Sequence, residues 1–415
     1  MTTMAVLASA ALVAAGCGDD DSDSTSTSAS STKTTAAQSD SMDTMDASAG
    51  ASLISSPGVD LRYTLDRLLG EHAALALVGL NKTIAGEQDA KAVVDALGDN
   101  TDDLSAAIGS VYGDDAAESF KDQWTAHIGF FADYATGVAT KDNAKKAAAR
   151  KQLDGYQKSF STFLSEAAGL DADAGAAALG MHVKQLTAAM DQFGAGKYEQ
   201  SYESSREAYA HMFGTADALA AAISKQKPDD FGMGDVTQKA ADTRALLGQQ
   251  LGEHAFLATV ALNKTMTGAK DAEQAVASLD TNTVDLGKTI GSVYGDEAEA
   301  AFLKQWRAHI GFFVDYATAT VGGDEAKADQ AKTDLDGYAS GFDEFLSGAT
   351  GADKGTFEPG LQEHVTQLIG AIDATQDGDV DEAWGLERDA YAHMYMAADA
   401  ITAAIVEQNP DKFGS

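Results

Sequence analysis

The sequence repeats itself at a fixed distance, and this limits the possible folds more than any other feature. The segment Gln123-Trp124-Thr125-Ala126-His127-Ile128-Gly129-Phe130-Phe131 returns as Gln305-Trp306-Arg307-Ala308-His309-Ile310-Gly311-Phe312-Phe313, a shift of 182 residues. The same shift carries Arg62 onto Arg244 and Phe231-Gly232 onto Phe413-Gly414 without a gap. This reads as a tandem duplication of one unit, joined near residues 228–240. A period this long exceeds that of solenoid repeats, so each copy is expected to be a bundle with its own core. At 415 residues the chain is long enough for two such cores.

Within one copy the apolar residues recur at helical spacing. Leu65, Leu68, Leu69, His72, Ala76, Gly79 and Leu80 form one stripe. Further helices are expected over about 89–108, 116–139, 143–168, 176–193 and 198–225. They are punctuated by Gly113-Asp114, Gly169 to Gly175, Gly194-Ala195-Gly196 and Pro228. No stretch shows the alternation of a strand. Scarce Pro and abundant Ala agree with an all-α fold. The expected organisation is a leader over 1–17, a tether over 18–56, one helical bundle over 57–232 and a second over 233–415.

The leader and tether are distinct in composition. Met4 to Gly16 is a short apolar run ending at Cys17, the one cysteine of the chain. It is too short to span a bilayer but suits the apolar core of a secretory signal peptide. Ala14-Ala15-Gly16-Cys17 resembles a bacterial lipobox, which implies lipidation of Cys17, a membrane anchor and an extracytoplasmic location. The match has two departures: Ala14 stands where leucine is common, and Met1-Thr2-Thr3 carries no basic residue. Residues 18–56 are mostly Gly, Asp, Ser, Thr and Ala with almost nothing apolar, too polar to fold, and as a coil of about 40 residues would reach roughly 35 Å. Asp and Glu number 64 against 29 Lys and Arg, a net charge of −35. A surface of that sign disfavours nucleic acid and anionic lipid as partners.

All eight histidines obey the repeat: His72 with His254, His127 with His309, His182 with His364, and His211 with His393. Each lies on the apolar stripe of its helix, so each copy sends four imidazoles inward from four helices. A lone buried histidine is ordinarily a core residue satisfied by a hydrogen bond. Four per copy are costly to keep unpartnered, and neutral imidazole is a common metal ligand. A transition metal, copper or zinc, is the expected cofactor, with a noncovalent bis-histidine haem as the variant. Glu71 and Glu253, Asp133 and Asp315, and Glu207 and Asp389 lie near these positions and are candidates to ligate the metal or to orient an imidazole. Tyr134 and Tyr316, and Tyr209 and Tyr391, could donate to ligands or simply pack. Met212 and Met394 follow the last histidine of each copy, which hints at copper, although methionine also fills cores.

Three motifs fail. No histidine has Glu three residues before it, as a ferritin-like di-iron bundle requires. Asp377-x-Asp379-x-Asp381 begins like a calcium loop, but its sixth position is Glu382 and its twelfth Arg388. No Cys-x-x-Cys-His is present for covalent haem. The lipobox, the tether and the doubled Ala-His-Ile-Gly-Phe-Phe and Ala-Tyr-Ala-His-Met segments resemble lipoproteins of Gram-positive-type bacteria, some of which are labelled copper amine oxidase-like. True copper amine oxidases are β-rich and carry a tyrosine-derived quinone, and no segment here matches them. The expected function is therefore metal binding for storage, buffering or delivery. A structural or interaction bundle with core histidines is the alternative, and a metallo-oxidase ranks last.

Overall fold

The computed structural model describes residues 54–232 and 236–413. The leader with Cys17, and the tether as far as residue 53, lie outside the described residues. Every regular element among the described residues is a helix, so the fold is all-α. The first half contains α1 (Pro57–Ala85), α2 (Ala90–Tyr112), α3 (Asp114–Ala139), α4 (Asn143–Ala168), α5 (Ala172–Gly194), α6 (Tyr198–Gln226) and the short α7 (Pro228–Phe231). The second half runs α8 (Lys239–Thr267), α9 (Ala272–Tyr294), α10 (Asp296–Gly322), α11 (Glu325–Thr350), α12 (Glu358–Asp377), α13 (Val380–Gln408) and α14 (Pro410–Phe413).

The helix ends follow from local chemistry. Ser56 accepts a hydrogen bond from the Val59 amide, and Pro57 takes the first turn of α1. Asp142 and Asp171 cap α4 and α5 through their side chains. Gly86 closes α1 in the left-handed region at φ 71°, which a side chain would resist. Composition alone assigns residues 54–56 to the tether, but they are ordered. Ile54 is buried against Ala240 and Val406, and its carbonyl accepts from Arg244 Nη1 at 3.4 Å.

In the first half α1 packs against α2, α3, α5 and α6, and α4 lies outside against α3 and α5. The second half repeats this order around α8. The halves do not merely follow one another. Helix α1 lies on α8, α6 on α9 and α13 on α2. Every residue of α1 from Leu68 to Leu80, and of α8 from Leu251 to Leu262, is consequently buried. One apolar cluster runs through both halves, taking Leu68, Leu77 and Phe213 from the first and Leu247, Phe256 and Leu257 from the second. A second cluster, with Phe313, Leu335 and Leu368, belongs to the second half alone. The repeat length suggests a core for each copy, whereas the main apolar cluster is shared by both, with the smaller second cluster confined to the second half.

Contacts between the halves are reciprocal. Arg206 binds Glu253 at 2.9 and 2.8 Å and Asp285 at 3.0 Å. Its counterpart Arg388 binds Glu71 at 2.8 Å and Asp103 at 2.7 Å. Arg62 reaches across to Asp242 at 2.7 Å, and Arg244 to Asp60 at 2.6 Å. Tyr209 and Tyr391, one position in two copies, share a hydrogen bond of 2.8 Å. This is the self-complementary pattern of an isologous interface, in which each contact occurs twice.

Candidate metal centre

Three helices of the first half each turn one histidine into the same core. His72 comes from α1, His127 from α3 and His182 from α5, and all three are buried. Each follows an apolar residue one turn earlier, Leu68, Trp124 or Leu179, so the spacing that buries the helix also buries the imidazole. The His72 ring centre stands 5.3 Å from that of His127 and 6.4 Å from that of His182. One nitrogen of each ring lies within 4.8 Å of the others. A metal with bonds of about 2.0–2.1 Å needs ligand nitrogens roughly 3.4 Å apart, so small ring rotations would close the triad on an ion.

The second half repeats the ring packing, but among the described residues the convergence of nitrogens to within 4.8 Å is met by the first triad alone. His254 lies 5.4 Å from His309 and 6.2 Å from His364 between ring centres. A cavity of about 20 Å³ adjoins His254 and His309, lined also by Ala258, Leu262, Phe313 and Leu368. That is the space of a single small ligand.

The walls are aromatic. Trp124 sits 4.6 Å from both His72 and His127, Tyr156 stacks on His127 at 4.8 Å with planes 12° apart, and Phe131 meets both His127 and His182 edge-on. Trp306, Tyr338 and Phe313 do the same in the second half. Sequence reasoning did not single out Tyr156 or Tyr338 as site residues. Their recurrence at the repeat distance from each other is the signal that could have placed them at the histidines.

Nδ1 of all six rings, and Nε2 of His364, are buried without a well-aligned hydrogen-bond partner, although the Trp124 and Trp306 backbone lies close enough to act on His127 and His309. Burial pushes His127, His182 and His254 down to about 3, and His72, His309 and His364 well below the usual imidazole value. Neighbouring imidazoles add to the effect: His127 and His182 act on His72, and His254 acts on His309 and His364. The rings are therefore neutral at pH 7, with lone pairs for coordination.

The fourth histidine of each half has another use. His211 Nε2 donates to the Ala178 carbonyl at 3.0 Å, and His393 Nε2 donates to the Gly360 carbonyl at 2.8 Å. Each bond ties the last long helix to the helix that carries the third histidine. The structure thus brings together three of the four histidines in each copy, and His211 and His393 stand apart as clasps.

The carboxylates expected near the site lie elsewhere. Glu71 and Glu253 are buried at the interface on Arg388 and Arg206, and also accept from Asn100 and Asn282 at 2.8 Å each. Asp133 pairs with Lys145 at 2.8 Å, while Asp315, Glu207 and Asp389 are exposed. Tyr134 and Tyr316 donate to Asp191 and Asp373, and Met212 and Met394 fill apolar core. Neighbouring positions on a helix point in different directions, so adjacency to a histidine in sequence did not imply adjacency in space. Comparison of the chain with protein-family models, with curated proteins and with solved structures found no match.

Proposed function

We propose that this chain is an extracytoplasmic lipoprotein that binds a transition metal, copper or zinc, through His72, His127 and His182 and through His254, His309 and His364, for storage, buffering or delivery. One observation carries the reading. Six imidazoles, three to a core, are buried with Nδ1 lacking a well-aligned partner, which costs free energy unless something accepts the lone pair. The aromatic walls supply rigidity and keep water out. A porphyrin is disfavoured, because the space beside the second triad is about 20 Å³. The anchor rests on Ala14-Ala15-Gly16-Cys17. No helix among the described residues is long and apolar enough to cross a membrane.

The competing reading keeps the histidines as core residues. The ring packing favours it, since Tyr156 and Trp124 already contact His127 closely. Metal analysis of the purified protein, with an absorption spectrum, separates the two. Metal binding predicts an ion at each triad, and a Soret band would point to haem instead. His127→Ala should abolish binding in the first half and spare the second. A stability loss that is the same with and without metal, at unchanged stoichiometry, would make His127 a core residue. Cys17→Ser should release the protein from the membrane fraction, and unchanged retention would remove the anchor.

A further inference from the structure

The metal reading leaves open which ion the triads select, and the charge around them bears on that choice. Each triad offers only neutral donors. Glu71 and Glu253, the acids next in sequence to His72 and His254, face away and are neutralised by Arg388 and Arg206. Asp133 is held by Lys145, and Asp315, Glu207 and Asp389 are exposed. The group of converging ligand atoms at the first triad consists of the three imidazoles and includes no carboxylate. The remaining neighbours are Trp, Phe and Tyr, and the Tyr156 and Tyr338 hydroxyls are held protonated by burial.

The cost of placing an ion in such a medium rises with the square of its charge. A divalent ion would carry about four times the desolvation cost of a monovalent one. Zinc in three-histidine sites ordinarily keeps a water or substrate in its fourth position. Here the rings of Trp124, Tyr156 and Phe131 stand around the first triad. Aromatic faces attract a single positive charge, and Trp does so best. Imidazole serves copper as readily as zinc, so softness does not decide the matter and charge does.

We infer, building on the metal-binding reading above, that each triad is a site for a soft monovalent cation, copper(I) or its analogue silver(I), and discriminates against zinc(II). Three neutral imidazoles in an aromatic shell add no negative charge, so a monovalent ion leaves half the uncompensated charge that a divalent ion would. The ion is bound and released without a change of oxidation state.

The Cys17→Ser chain, which lacks the competing thiol, is titrated free of metal with silver(I), and separately with zinc(II). Copper(I) is tested under anaerobic conditions. Binding is followed by calorimetry and by tryptophan fluorescence, to which Trp124 and Trp306 at the triads contribute along with Trp384. The expected result is silver(I) bound at both triads, about tenfold or more tighter than zinc(II), with the first site lost in His182→Leu. His182→Glu adds one negative charge and should turn that site's preference toward zinc(II), with circular dichroism checking the fold. Zinc(II) binding as tightly as silver(I) at the native triads would overturn the selectivity while leaving the metal site standing. If neither ion bound the triads, the metal-binding reading itself would fail.

Discussion

Neutral histidine cores make the protein sensitive to acid, and the sign follows from linkage. His127, His182 and His254 titrate near 3 in the fold, against about 6.5 in an unfolded chain. Below about pH 6.5 the unfolded chain takes up protons that the folded chain refuses. The stability of the metal-free protein should be fully present above that pH and fall as pH drops toward 3, by about 1.4 kcal/mol per pH unit for each such ring. Urea midpoints at pH 7.5 and 5.5 measure this, and equal midpoints would mean the rings accept protons in place. Asp66 acts in the opposite sense. It is fully buried with both oxygens unpartnered, and burial, with Asp217 nearby, raises it to about 8. Its burden on the fold grows as pH rises from about 4 to 8. Asp66→Asn should therefore stabilise the protein at pH 8 by roughly 1–3 kcal/mol and much less at pH 4. A gain independent of pH would show that ionisation is not the cause. The repeat already hinted that this acid is dispensable to the fold, since Gly248 stands at its position in the second copy.

At the scale of helices, the sequence was readable because caps and stripes agree. Gly113, Gly169 and Pro228 mark real ends, and the expected helix over 143–168 coincides with α4. The central role of α1 and α8 was harder to see. Their stripe of Leu65, Leu69, His72 and Ala76 is genuine, but Ala73 to Leu80 is apolar almost without interruption. A helix apolar all round is one enclosed on every side. That run signalled the contact between halves. The histidine positions were legible because periodicity fixes direction. The exclusion of His211 and His393 was not, because periodicity does not fix height along a bundle. Close approach at this contact yields a test. A methyl group on Gly70 would come within 2.5 Å of the Tyr391 hydroxyl, and one on Gly252 within 2.8 Å of the Tyr209 hydroxyl. Gly79, on the same helix as Gly70, would meet Val93 at a comfortable 3.5 Å. Gly70→Ala should destabilise the fold by about 1–3 kcal/mol, whereas Gly79→Ala should be neutral or stabilising by up to about 1 kcal/mol. Thermal unfolding of the pair gives the comparison, and equal shifts would remove Tyr391 from the explanation.

For the molecule as a whole, the reciprocal contacts bear on whether the halves stand alone. Each half encloses its own histidine triad, yet among the described residues the arginine paired with Glu71 comes from the other half, and that paired with Glu253 likewise. Residues 54–232 and 236–415, made separately, should each show helical circular dichroism and should associate one to one when mixed. Arg388→Ala should weaken that association by about tenfold or more, because it leaves Glu71 buried beside an apolar surface without its partner. Size-exclusion chromatography of the mixture reads this out. Fragments that stay apart at micromolar concentration would mean that the covalent join supplies what the interface lacks.

Ile54 seated against Ala240 and Val406 also marks one end of the helical body. The start of α1, the join at Val236, which accepts from Arg62, and the end of α13 all meet at this one pole. The opposite pole is where Glu87 joins Lys82 and Lys264, at the far end of α1. Helix α1 has 29 residues and so spans about 43 Å between them. The described chain enters the helical body at the first pole, through Ile54 and Pro57. The Glu87 pole therefore lies a full helix length from the point where the described chain begins, so any segment preceding Ile54 joins the body at the end remote from the Lys82–Glu87–Lys264 cluster.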